Sequence, residues 1–186
     1  LVGRADLVLD GSDSFATRYL VNDACVLAGK PFIGASIFKY EGQLSVYNLA
    51  GGPTYRCLFP APPDPVDVPS CADVGVLAVL PGALGTLMAA EAIKVLTGLG
   101  QPYSGRLYTC DLRGGESAVY GFERNPAVKV EALLADYGAF CSPPRQGERE
   151  MTATELLAKI RAGAELDLVD VREADEDLTF PLEPAL

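Results

Sequence analysis

The chain has 186 residues, 49% of them hydrophobic and 22% charged, which suits one packed domain with part of a second and excludes wholesale disorder. It contains no histidine, so a Ser-His-Asp triad, a Cys-His dyad and every imidazole-held metal site are excluded. A formal net charge of −10 argues against a nucleic-acid partner, because duplexes are bound mainly by cations that displace their counterions.

The sequence starts at Leu1, without Met and without a legible signal peptide, and runs almost at once into a strand-like segment. It reads as a fragment of a longer protein. Residues 5–10 (ADLVLD) predict a short buried strand ending in an acid. Gly11-Ser12-Asp13-Ser14 is a turn in which Asp13 or Ser14 can cap the helix expected over residues 15–28. That helix places Tyr19, Leu20, Ala24 and Leu27 on one face and stops at Gly29. Residues 32–38 and 43–49 predict a second and a third strand, separated by the turn Tyr40-Glu41-Gly42. Strand, helix, strand and an added hairpin is the order of an α/β domain with a mixed sheet flanked by helices.

Residues 51–69 hold Pro53, Pro60, Pro62, Pro63, Pro65 and Pro69, a density that predicts an extended surface connection, and they lead directly into Cys71. Residues 75–98 predict a buried helix, or a helix pair broken at Pro81, with Gly82, Gly85, Ala89 and Ala90 small enough for another backbone to come close. The nearly uncharged run over 74–88 is shorter than the roughly 18 residues of a bilayer span, and no membrane partner is expected. Residues 106–112 and 117–122 predict a hairpin around Arg113-Gly114-Gly115-Glu116. Residues 142–150 read as a linker between a domain over 1–141 and a partial α/β unit over 151–186, in which Thr152 and Glu155 form a helix-start signature and Gly163 a stop. The last segment, with 3 basic and 9 acidic residues, also differs in charge from the rest.

Asp10 and Asp13 stand where a parallel strand gives way to a helix, the edge at which open α/β sheets bind ligands. Two carboxylates there can hold a magnesium ion that carries a nucleotide phosphate. The plainer alternative is a capping Asp13 and a solvated Asp10. Cys71, just before an apolar helix, has the place of an activated thiol or, alternatively, of a buried one. Cys25 and Cys110 read as buried, Cys57 stands alone, and Cys141 reads as solvent-accessible. The five cysteines form no even disulfide framework, which fits a reducing cytoplasm. No GxGxxG or GxxxxGK[ST] loop occurs.

Taken together, ADLVLDGSDSFATRYLVNDACVLAGKPFIGASIFKYEGQLSVYN, TYRCLFP, VPSCADVGVL, PGALGTLMAAEAIKVLTG and GRLYTCDL closely resemble the ThiF/MoeB/HesA family, the E1-like adenylyltransferases, over residues 1–141. The resemblance implies a Rossmann-like fold of which this is the carboxyl-terminal half, with the phosphate-loop half missing. It also implies ATP- and Mg²⁺-dependent adenylation of the terminal glycine of a ubiquitin-like sulfur carrier of the MoaD or ThiS type, by a homodimer. It maps the family's Mg·ATP-binding aspartate onto Asp13, the first acid of that motif onto Asp10, and the family cysteine onto Cys71. Ser12 and Ser14 stand where the family has Thr and Asn, and Ser14 joins Asp10 and Asp13 as a cofactor-binding candidate. Asp13 and Cys71 are the catalytic candidates. The family's zinc-binding CxxC pairs are reduced here to Thr54 and Cys57, with no cysteine after Asn125-Pro126, so no zinc is expected. Residues 151–186 resemble the start of a rhodanese domain. The alternative to an enzyme is a module that only binds a sulfur carrier or dimerises.

Overall fold

The computed structural model describes residues 1–63, 74–141, 151–164 and 166. The chain divides into two compact units, Leu1–Pro143 and Pro144–Leu186. In the first, the elements are β1 (Val8–Asp10), α1 (Phe15–Ala28), β2 (Phe32–Phe38), β3 (Glu41–Tyr47), α2 (Tyr55–Leu58), α3 (Val79–Thr97), β4 (Arg106–Asp111), β5 (Glu116–Gly121) and α4 (Tyr137–Cys141). In the second, α5 spans Ala153–Arg161. The predicted strand over 166–171 lies outside the described residues, apart from Leu166, as do Cys71 and the linker over 142–150.

The five strands form one mixed sheet in chain order. β1 runs parallel to β2 and every later neighbour is antiparallel. The parallel pair comes from the crossover through α1, β2–β3 and β4–β5 are tight hairpins, and β3 reaches its antiparallel neighbour β4 through the long connection that carries α2 and α3. Because successive side chains alternate between faces, adjacent residues feed two separate cores. Phe32 and Tyr47 join Tyr19, Tyr55 and Tyr137 on the α1 face, while Ile33 and Val46 join Leu80, Leu84 and Met88 on the α3 face.

Several boundaries differ from expectation for identifiable reasons. Tyr40-Glu41-Gly42 is not the turn. Phe38 pairs with Glu41, so the chain reverses at Lys39, which takes φ 52, and Tyr40. Gly42 lies inside β3, where a Cβ would come within 2.8 Å of Leu84 Cδ2 and 3.2 Å of Cys110 Sγ. This glycine is needed for close packing against α3, not for turning. Pro81 does not break α3, because it sits in the first turn of one continuous helix, where its missing N–H is not needed. Nor is α3 wholly buried. Leu80, Leu84, Met88 and Glu91 make its one buried stripe, and Val79, Ile93 and Leu96 are each more than half exposed. No described atom comes within 4 Å of a Cβ built at Gly82 or Gly85. The helix has the length and apolarity of a membrane span, beyond what the 74–88 run suggested, but it lays its buried stripe, Glu91 included, on the sheet.

The expected apolar face of α1 is also different. The helix buries Arg18, Tyr19, Asn22, Asp23 and Cys25, and leaves Leu20 and Leu27 exposed. Its ends follow the sequence signals, with Ser14 as N-cap and Gly29 at φ 63 as C-cap. The proline-rich connection is not extended throughout, since α2 interrupts it between Pro53 and Pro60 with Tyr55 buried. Cys25 and Cys110 are buried as expected, and Cys141 is buried as well, against expectation. α5 keeps the predicted box, in which the Thr152 hydroxyl accepts from the Glu155 amide and the Glu155 carboxylate accepts from the Thr152 amide.

Candidate functional site

A cleft of about 1390 Å³ opens over the carboxyl end of β1 and the neighbouring sheet, with Asp13, Ser14, Arg18, Gln43, Tyr55 and Phe59 in its walls. The strand-to-helix turn positions the first three. β1 ends at Asp10, the chain turns through Gly11-Ser12-Asp13, and Ser14 caps α1 by accepting from the Thr17 amide at 3.4 Å. With the cap supplied by Ser14, Asp13 is left exposed on the cleft wall.

Asp10 behaves differently. It is 5% exposed and is not among the residues of the cleft wall. Its Oδ1 accepts from the Ser12 amide at 3.0 Å, and its Oδ2 lies 3.9 Å from Arg18 Nε. The structure therefore brings Asp13 and Ser14 to the cleft and sets Asp10 behind the turn that carries them. Cys71 belongs to residues not described.

A second polar assembly holds α1, α2 and α4 together. Asp23, 2% exposed, accepts from Arg56 Nε at 2.7 Å, from Arg56 Nη2 at 2.8 Å and from the Tyr137 hydroxyl at 2.7 Å. Burial acts to raise its pKa, but the bonds from Arg56, Tyr137 and Asn22 outweigh it and hold the carboxyl below its ordinary value. The Arg56 guanidinium lies over the Tyr19 and Phe140 rings, 4.7 and 4.9 Å from their centroids. Arg56 Nη1 and the Tyr19 hydroxyl also donate to the carbonyls of Pro60 and Phe59, where the proline-rich connection leaves α2. Sequence reasoning missed this network, whose partners lie 33 and 114 residues apart. The one available signal was the polar set Arg18, Asn22 and Asp23 beside Tyr19 on α1.

The remaining thiols are not equivalent. Burial pushes Cys25 up to about 11 and also raises Cys141. Cys57 goes the other way: burial acts to raise it, but hydrogen bonds from Thr54 and from the Asn125 amide more than offset that. The Asn125 amide donates to Cys57 Sγ at 3.4 Å, so the residue just before the expected second pair touches the remnant of the first. Among the described residues no three His, Cys, Asp or Glu side chains converge as a metal site.

Residues 1–131 match the ThiF family. The chain is 50% identical over 147 residues to the sulfur carrier protein adenylyltransferase of Thermus thermophilus, covering 73% of this chain and 54% of that protein. It is 41% identical over 189 residues to the mouse adenylyltransferase and sulfurtransferase MOCS3, covering 92% of this chain and 41% of that protein. It is also 41% identical over 181 residues to the probable adenylyltransferase/sulfurtransferase MoeZ of Mycobacterium tuberculosis, covering 92% of this chain and 46% of that one. The chain thus spans about half the length of these relatives. Among solved structures, Escherichia coli MccB crystallised with ATP aligns with a TM-score of 0.55 at 19% identity, over 68% of this chain and 39% of that one. At that identity the likeness speaks for the fold alone.

Proposed function

This chain belongs to the ThiF family, and on that premise we propose that it is part of an adenylyltransferase that activates the carboxyl-terminal glycine of a ubiquitin-like sulfur carrier. The observation that carries the reading is Asp13, an exposed carboxylate at the carboxyl end of β1, on the wall of a cleft large enough for a nucleotide and an extended peptide tail. The names of the relatives support the substrate class.

The residues fit a magnesium ion arriving with ATP. That ion keeps several waters and takes one or two carboxylates beside phosphate oxygens, and Asp13 offers one carboxylate with no ion pair among the described residues. When bound, magnesium neutralises charge on the phosphates. In the reaction, a carboxylate oxygen of the carrier's terminal glycine attacks the α-phosphorus of ATP. The bond from that phosphorus to the oxygen bridging to the β-phosphate breaks, and pyrophosphate leaves. No proton need be moved, which suits a chain without histidine. Asp13 would place the metal-bound phosphates, Ser14 would keep its hydroxyl on the α1 cap at the cleft wall, and Asp10 would hold the turn from behind.

By the resemblance, the Cys71 thiolate would attack the glycyl carbonyl of the adenylate, forming a thioester as AMP leaves, or would first take a sulfane sulfur from a donor persulfide whose thiolate departs. The carrier tail would run across the open sheet surface, along the cleft. The exposed apolar face of α3 supports a homodimer, and the free cysteines among the described residues support a reducing cytoplasm. Residues 151–186 would begin a sulfur-donating rhodanese module, a reading supported by the relatives named sulfurtransferases that match 92% of the chain. Carrier-dependent ATP–pyrophosphate exchange by the full-length protein tests the proposal. Exchange that requires both Mg²⁺ and the carrier's terminal glycine is expected, and carrier binding without exchange would favour a binding module.

A further inference from the structure

Two arginine–aspartate pairs each include a residue of α1, and their geometries differ. Arg56 meets Asp23 with the two-pronged fork of a strong ion pair, at 2.7 and 2.8 Å. Arg18, only 7% exposed, comes no closer than 3.9 Å to Asp10. Its Nη2 instead donates to two main-chain carbonyls, Ser12 at 3.0 Å and Ala35 at 3.3 Å. Asp10 Oδ2, Ser12 Oγ and Arg18 Nε are buried without a hydrogen-bond partner among the described residues. Burying a guanidinium on such terms is costly, so fold stability alone does not account for it.

The contacts explain what the arginine does there. Ser12 is gripped on both sides, its amide by Asp10 and its carbonyl by Arg18. Arg18 is tied in turn to β2 through Ala35. The next residue is Asp13, which is exposed and whose side chain has no ion pair or hydrogen bond among the described residues. The place of its carboxylate therefore depends on the backbone of Ser12.

We propose that Arg18 is a positioning residue: with Asp10 it forms a bracket around Ser12 that fixes the Asp13 carboxylate at the cleft wall relative to β2. Arg18, whose side chain also reaches the cleft wall, acts on Asp13 through the main chain of Ser12. The inference rests on the reading of Asp13 as the residue that holds magnesium. A turn released from the bracket displaces that carboxylate by an ångström or so, enough to weaken metal-dependent chemistry strongly.

The test uses Arg18→Met and Arg18→Lys in the full-length protein, beside Asp13→Ala. Three properties are measured: the Mg²⁺ concentration for half-maximal ATP–pyrophosphate exchange, the thermal midpoint, and amide hydrogen exchange over residues 11–14. Arg18→Met is expected to raise the Mg²⁺ requirement about tenfold and to speed amide exchange over 11–14, both by more than the accompanying fall in thermal midpoint accounts for. Arg18→Lys, with a compact ammonium in place of a planar fork, should restore only part of both. An unchanged Mg²⁺ requirement with unchanged amide exchange overturns the proposal, as does loss of activity in proportion to lost folding. If Asp13→Ala keeps full exchange, the magnesium reading itself falls. The amide-exchange measurement then decides the bracket alone, and unchanged protection over 11–14 overturns it.

Discussion

Asp10 and Asp23 are both buried carboxylates on the α1 side of the sheet, and what separates them is the work done by the neighbouring arginine. At Asp23 the charge is met by Arg56 and by the Tyr137 hydroxyl, so protonation would cost those bonds. A carboxyl held below its ordinary value contributes stability that is fully present above the unfolded-state pKa, near pH 4, and is lost as pH falls through the lowered folded value. Asp23→Asn is therefore expected to destabilise the fold by about 1–3 kcal/mol at neutral pH, because the half-buried Arg56 loses its charged partner. The same substitution should flatten the stability loss on acidification below about pH 4, and chemical denaturation of both proteins across pH 3–7 measures the two effects together. Equal acid sensitivity in the variant would show that other carboxylates dominate. Neither the pair nor its strength was legible in the sequence, since Asp23 and Arg56 belong to different helices and either reads alone as a solvated charge. Asp13 was legible, because its place depends only on the local order of strand, turn and helix.

At the scale of elements, hydrophobic order and turn chemistry located most of the sheet and helices, and the errors share a cause. Leu20 and Leu27 were assigned to the inner face of α1, but that face is shared with a polar network supplied from α2 and α4, so local amphipathicity misjudged it. Gly42 and Pro81 were read as punctuation, whereas tertiary packing gave each a different role. The helix α3 was expected to bury its apolar residues at or near a homodimer interface, and in the single chain Val79, Ile93 and Leu96 stand 65%, 57% and 61% exposed. Exposed apolar side chains along one helix are what a partner surface looks like, and a second copy is the occupant that the proposed homodimer supplies. Ile93→Glu with Leu96→Glu is expected to convert the full-length protein from dimer to monomer in light scattering, with its far-ultraviolet circular dichroism unchanged. A dimer that survives both changes would place the interface elsewhere.

For the whole molecule, the mixed α/β sheet and the likeness to ThiF proteins followed from many short motifs in a fixed order, while the geometry of the cleft did not. Which acid faces solvent at the end of β1 is decided by a cap, a bracket and a register, and these need coordinates. Asp10 and Asp13 look equivalent in the string DGSD, but one is 5% exposed beneath the turn and the other stands on the cleft wall. That division of labour is the centre of the account, and carrier-dependent ATP–pyrophosphate exchange by Asp13→Ala in the full-length protein tests it most directly. A fall of about a hundredfold or more with an unchanged thermal midpoint is expected, the scale of losing one preorganised electrostatic contact at a reacting phosphate. Exchange within about twofold of the unsubstituted protein would contradict it, since an effect that small is far below what such a contact supplies.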